Sequence, residues 1–339
     1  MAKRYTQRNM MKTQPAEMTM YFPLPGASLP QTSRTDYIDL SQVASLINRR
    51  FYRQGINWSV AGFKVISTDD STGMISISKL PTTWVLGNSW EKSMRAWSRM
   101  NREALEETES VRPRFLDFKI YADAEHHAAG FGANLLPYSI SNNLATAGEW
   151  LPSKFVIPKT DGTDNVHNRE VIAVGANYPP AGASGLGAVS MIEGYAASRA
   201  LPYQTDPNVP NDAASVEGND PANWLSAIFN DGTKQDDQIM NDMISENNEA
   251  PYPFEDDGTH VDTMYPGGAN QLQSLMLHDI AFVSPTTVGG TTYMKGGNFP
   301  CGLIRIDQTR GDGNLALQLL VDLVPGAHRG YHCEPMTEM

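Results

Sequence analysis

The sequence predicts an all-β fold, an antiparallel sandwich of two sheets, and three observations carry that prediction. Short segments alternate apolar and polar residues with a period of two. Turn chemistry punctuates them, with 28 Gly and 22 Pro in 339 residues. Helical periodicity is confined to one long stretch, which argues against an alternating βαβ fold. Hydrophobic residues at 40% and charged residues at 19% describe a folded chain and exclude a disordered one.

Taken in order, residues 1–34 read as an N-terminal arm and 35–339 as a single domain. Ser41 to Ile47 reads as a short helix with Ser41 as its N-cap. Ile56 to Val60 and Met74 to Ser78 place apolar side chains at every second position, as half-buried strands do. Leu116 to Ala122 and Leu315 to Leu323 alternate in the same way. Apolar runs at Phe155–Ile157, Glu170–Val174, Leu275–Val283 and Gly302–Ile306 raise the strand count to about eight or nine.

The exception lies near 90–110. Trp90, Met94, Trp97, Asn101, Ala104 and Leu105 share one helical face, with Arg95, Arg99 and Arg102 opposite. Glu91 with Arg95, Arg99 with Glu103 and Arg102 with Glu106 add ion pairs of about 0.2–0.5 kcal/mol each. Pro113 ends the helix.

Two further segments read as loops. Gly175 to Gly187 is rich in Gly and Pro, and 204–270 carries 14 acidic residues against the single base Lys234. The latter predicts a long acidic surface insertion between two strands, with small apolar islands around Trp224 and Met240. Arg310-Gly311-Asp312 matches an integrin-type tripeptide, yet its place between two apolar strands reads as a hairpin turn.

Charge is divided along the chain. Residues 1–114 hold 16 basic and 10 acidic side chains, net +6, and the remainder hold 10 basic and 28 acidic, net −18. Such asymmetry points to one face that meets a polyanion and another that meets solvent. Neither a membrane span nor a secretory signal is legible, so the chain is expected to be made inside its cell without membrane association. Cys301 and Cys333 are too few for a disulfide framework and read as reduced thiols.

Catalytic signatures fail on inspection. Gly182-Ala183-Ser184-Gly185-Leu186 lacks the last glycine of a nucleophile elbow, Gly130-Phe131-Gly132 lacks the third glycine of a dinucleotide loop, and no P-loop occurs. The expectation is therefore a protein that is not an enzyme and takes no cofactor. His126-His127 read as neighbours on a strand, pointing to opposite faces, so only one of them serves a given metal site. His328, His332 and Cys333 form a second cluster, in which Gly330 disfavours a helical ligand pair. Asp256, Asp257 and Asp262 offer hard oxygen ligands that suit calcium, or else form a solvated turn.

The basic segment Asn48-Arg49-Arg50-Phe51-Tyr52-Arg53-Gln54 interleaves three arginines with two aromatics, a pattern that neutralises phosphates and stacks bases. Lys3, Arg4, Arg8 and Lys12 add four charges ahead of it with no acid among them. The other reading has Phe51 and Tyr52 in the core and the arginines paired with carboxylates. Both stay open at the level of sequence.

The run Tyr37-Ile38-Asp39-Leu40-Ser41, the segment Asn48 to Gly55, Trp84 to Trp97, and Phe115 to Tyr121 together resemble capsid proteins of small circular Rep-encoding single-stranded DNA viruses. The resemblance covers roughly residues 35 to 140 and is one of texture. It implies a single jelly roll that assembles with copies of itself into an icosahedral shell around single-stranded DNA, and hence a place in the virion. Many such capsids begin with a long arginine-rich arm; here four basic residues precede Thr13, so Arg49, Arg50 and Arg53 are expected to share genome contact. The host receptor and shell size are not legible. The alternative is a β-sandwich carbohydrate-binding module with Trp224 stacking on sugar, and metal-dependent hydrolysis ranks last.

Overall fold

The computed structural model describes residues 15–25, 32–67, 71–106, 116–140, 143–158, 166–176, 178–199, 274–284, 290–311 and 317–338, with residues 108, 110, 112, 286 and 287. Among these, eight strands build two large antiparallel sheets. They are β1 (Thr19–Leu24), β2 (Ser33–Asp39), β3 (Ile56–Ser67), β4 (Gly73–Lys79), β5 (Met276–Val283), β6 (Thr291–Phe299), β7 (Leu303–Arg310) and β8 (Leu317–Leu323). One sheet runs β1-β8-β3-β6, with Cys333–Pro335 also pairing the start of β3; the other runs β5-β4-β7-β2.

Alternation explains why the sheets face one another. From the first sheet Met20, Phe22, Leu24, Trp58, Val60, Phe63, Val65, Leu319 and Val321 point inward; from the second Ile38, Ile75, Ile77, Val283, Ile304 and Ile306 meet them. All belong to one apolar cluster. Full burial of such a side chain contributes about 1.5–3 kcal/mol, so this contact dominates the energetics of the domain.

Between β4 and β5 the chain leaves the sandwich. It forms α2 (Trp84–Leu105), a short helix α3 (Ala124–Ala129), and strands at Phe155–Pro158, Val166–Ile172 and Ala188–Ser190 that make a small sheet ending in a parallel pair. The helix α4 (Met191–Arg199) follows and packs on α2. A second apolar cluster lies here, and Tyr37, Cys301 and Leu303 of the sandwich join it. No helix among the described residues is long and apolar enough to cross a membrane.

Strands β3, β4 and β8 fall where the alternation places them, and β5 and β7 where the apolar runs do, whereas β1, β2 and β6 carry weaker patterns. β1 lies within the expected arm of residues 1–34, so the sandwich begins earlier than residue 35. Its register against β8 runs from Thr19 with Asp322 to Leu24 with Leu317.

Four local expectations change. Leu116 to Ala122 is extended but no regular strand: only Tyr121 bridges, to Ile172. The Lys119 N–H instead donates to Ser153 Oγ at 2.9 Å and the Ile120 N–H to Gln54 Oε1 at 2.6 Å. The first helix, α1 (Leu40–Asn48), is capped by Asp39 and not Ser41; Asp39 accepts from the N–H groups of Ser41 and Gln42. α2 begins at Trp84 and ends at Leu105, so the expected helix near 90–110 is displaced toward the N-terminus, with Val85, Leu86 and Ser89 also buried. Finally, β7 and β8 belong to opposite sheets, so the segment containing Arg310 and Gly311 carries the chain between sheets and is no hairpin. The insertion expected at 204–270 lies outside the described residues.

Candidate nucleic-acid interface

The basic segment is placed by the end of α1. Arg49 adopts φ 52° and ψ 39°, a left-handed cap that reverses the chain toward β3. Tyr52 then turns inward and is wholly buried, its hydroxyl donating to the Arg329 carbonyl at 2.9 Å and its ring lying 5.8 Å from Trp58 and 5.5 Å from Tyr331. Tyr52 thus belongs to the core, as one sequence reading has it.

The arginines do not follow that reading to its end. Arg50 Nη1 donates to the Pro15 carbonyl at 2.9 Å, and Arg53 Nε to the Leu116 carbonyl at 3.3 Å. Main-chain carbonyls orient a guanidinium without cancelling its charge. Arg305 shows the contrast: its guanidinium lies 2.9 Å from Asp123, 2.6 Å from Glu125 and 3.0 Å from Asp307, a structural pairing with little charge left for a ligand.

Around half-buried Phe51 the structure gathers its neighbour Arg53 with cations that are distant in sequence. Arg53 lies 5.9 Å and Lys119 5.8 Å from the Phe51 ring centre, and Lys119 lies 4.6 Å from the Trp150 ring. Arg329 donates to the Phe51 carbonyl. The Trp150 indole donates to Asp39 Oδ2 at 2.9 Å, which fixes that ring. Lys119 is partly offset by Asp117, 3.6 Å away.

Arg49 and Arg50 sit toward residues 15–21 instead. Arg49 lines a depression with Glu17, Thr19, Tyr21 and Tyr138. Thus the structure places Arg53 beside Phe51 with Lys119, Trp150 and Arg329, and sets Arg49 and Arg50 on a neighbouring surface. Lys3, Arg4, Arg8 and Lys12 lie outside the described residues. Lys119, Trp150 and Arg329 have no signal in the sequence, because only the fold brings them to Phe51.

Beside this cluster opens a cavity of about 190 Å³. Its walls are aromatic and apolar, with Phe51, Trp90, Met94, Trp97 and Phe118 among them, and Arg53, His328 and Arg329 also line it. Trp90 is 5% exposed, and its Nε1–H has no acceptor among the described residues. Burial and the charge of Arg329 push the His328 imidazole below its ordinary range, which favours the neutral ring.

The paired histidines differ from expectation. Both lie on α3 and both are fully buried, because the segment is helical and not a strand. His126 Nδ1 accepts from the Ala122 N–H at 3.1 Å, which leaves the proton on Nε2 to donate to Asn134 Oδ1 at 2.9 Å. Its ring stacks on Tyr37 at 4.3 Å, and burial pushes its pKa down to about 4. His127 Nε2 lies 3.0 Å from Glu170 Oε2, close but without hydrogen-bond alignment. Among the described residues no group of three His, Cys, Asp or Glu side chains is disposed to hold a metal ion. Asp256, Asp257 and Asp262 lie outside them.

Asp39 is the hub that holds this corner together. It is fully buried and accepts from Ser41 N, Gln42 N, Gln54 Nε2 and Trp150 Nε1, joining α1, the basic segment and the inserted region. Burial raises its pKa to about 6 against the pull of these donors. Comparison with family models, with curated proteins and with solved structures finds no match to this chain.

Proposed function

We propose that this chain is the coat subunit of a viral shell, a single jelly roll that assembles with copies of itself around single-stranded DNA. The observation that carries the reading is strand order. Numbered along the chain, the sheets read 1-8-3-6 and 5-4-7-2. Each pairs strands from the first and last parts of the domain, as two interleaved Greek keys do. Jelly rolls of this kind serve as capsid, lectin and cupin domains, so the fold narrows the classes and the surface must choose among them.

The surface favours a polyanion. Exposed Arg53 and Arg329 flank half-buried Phe51, which Lys119 also approaches, and cations beside an aromatic ring suit a phosphate backbone with a stacked base. Exposed apolar side chains on the sheets, among them Phe282 at 74%, Tyr293 at 72% and Leu277 at 57%, supply material for subunit contacts. The coat-subunit reading requires neither catalysis nor a cofactor. Among the described residues nothing in the aromatic surface favours sugar over nucleic acid.

Negative-stain microscopy of the purified protein tests the assembly half of the proposal. Uniform spherical particles are the expected result. A discrete monomer that is retained on polysaccharide columns would overturn it in favour of a carbohydrate-binding module.

A further inference from the structure

We infer that the cavity beside Phe51 is a nucleotide subsite, which takes one unpaired base of a single strand and holds its phosphate at the cationic mouth. The inference deepens the nucleic-acid half of the proposed function and rests on it. The fit begins with size. An apolar cavity of about 150 Å³ admits a benzene-sized ring, and this one, at about 190 Å³, has space for a single aromatic heterocycle.

The walls suit such a guest. Phe51, Trp90, Trp97 and Phe118 offer aromatic surface, with Trp97 and Phe118 5.6 Å apart and Trp90 and Phe118 6.3 Å apart. Stacking on such rings tolerates any base, because every base has a π-face. Arg53 and Arg329, both exposed, line the same cavity and supply positive charge for a phosphate. The one carboxylate in the lining, Asp117, is buried and engaged by Lys119 and the Gln54 N–H, so it opposes an incoming phosphate weakly.

The observation that points to a ligand is the meeting of aromatic walls with two exposed guanidinium groups at one cavity, surface that suits a base beside charge that suits a phosphate. Trp90 contributes ring surface to that wall, and its Nε1–H is itself shielded from the cavity. Gly55 keeps the indole in place: a Cβ there would stand 2.1 Å from Trp90 Cζ2. Neutral His328, at the opposite chemistry, offers one donor and one acceptor to the same guest.

The test measures binding of oligo(dT), thymidine 5′-monophosphate and deoxyribose 5-phosphate to the full chain. Tryptophan fluorescence serves as readout, and retention of oligo(dT) is followed against salt. Oligo(dT) and the mononucleotide should quench, and the sugar phosphate should not. Trp90→Phe trims the aromatic wall from a fused to a single ring; it should weaken oligo(dT) roughly three- to tenfold with an unchanged salt slope. Arg53→Ala, an exposed substitution, should instead reduce the salt slope. If Trp90→Phe binds oligo(dT) as tightly as the parent, or if deoxyribose 5-phosphate competes as well as the nucleotide, the subsite is refuted and the wider interface stands. If the parent chain binds no oligo(dT) at low salt, both fall.

Discussion

The sandwich and the region inserted between β4 and β5 are built by different means. In the sandwich, facing sheets meet through the apolar side chains Phe22, Trp58, Phe63, Ile75, Ile304 and Leu319, with Asp36 and Gln308 of β2 and β7 buried and hydrogen-bonded to each other. The inserted region also has an apolar cluster, around Leu86, Trp97, Phe118 and Ile192. Yet it buries His126, His127, Arg169, Glu170, Asn134 and Asp117 alongside. The difference teaches that the sandwich is specified by alternation and the insert by pairing. Non-directional burial holds the first; directional polar contacts between distant residues hold the second.

That contrast is broken most forcefully in the sandwich. Phe63 is 1% exposed, and its ring meets Phe299 edge-on at 5.5 Å. Phe63→Ala is expected to cost about 3–5 kcal/mol, read as a lowered midpoint in urea unfolding. A cost under about 1 kcal/mol would mean that the sheets do not pack as described.

The junction between the two regions gives the next effect, and it depends on pH. Asp39, with a pKa raised to about 6, holds its proton more tightly folded than unfolded, so its share of stability grows as pH falls through 6. His126, lowered to about 4, behaves in the opposite sense: folding is favoured while the ring is neutral, and that favour is lost as pH falls from 6.5 toward 4. The two groups therefore act in opposite directions between pH 6 and 4. Asp39→Asn should remove the opposing share of the aspartate, and denaturation from pH 7 to 4 should then steepen relative to the parent. An unchanged pH slope would remove Asp39 from the account.

Within the insert, Gly182 lies against His127. A Cβ there would stand 2.4 Å from the His127 carbonyl. Gly182→Ala should therefore cost about 1–3 kcal/mol, by the strain that overpacking imposes. Equal thermal midpoints for variant and parent would show that this loop yields freely. The smallest effect belongs to the surface of α2, where Glu91 and Arg95 pair as the sequence leads one to expect. Glu91→Ala should change stability by no more than about 0.5 kcal/mol, near the limit of denaturant titration.

The same contrast governs what the sequence reveals. β3 and β4 are legible because their side chains alternate between core and surface, and α2 because Trp90 and Trp97 recur at helical spacing. β1 is hidden by Pro23 within it and Pro25 just after it, which read as breakers, and by its place near the N-terminus; β8, almost three hundred residues away, gives it its partner. The segment 116–122 alternates as a strand does, yet the N–H groups of Lys119, Ile120 and Ala122 are taken by the side chains of Ser153, Gln54 and His126, which no local pattern reports. In the candidate interface, Arg49, Arg50 and Arg53 are visible as a cluster, and the fold divides them. Lys119, Trp150 and Arg329 reach Phe51 through tertiary structure alone, and the cavity by Trp90 forms where residues of α2 meet Gly55 and Ile56 at the start of β3.

Sedimentation velocity of the purified chain, recorded at 260 and 280 nm, tests the central claim most directly. A shell of many 37.2 kDa copies should sediment as one sharp boundary of megadalton mass that carries nucleic-acid absorbance. A single boundary at the mass of one copy, persisting across protein concentration and salt, would contradict it.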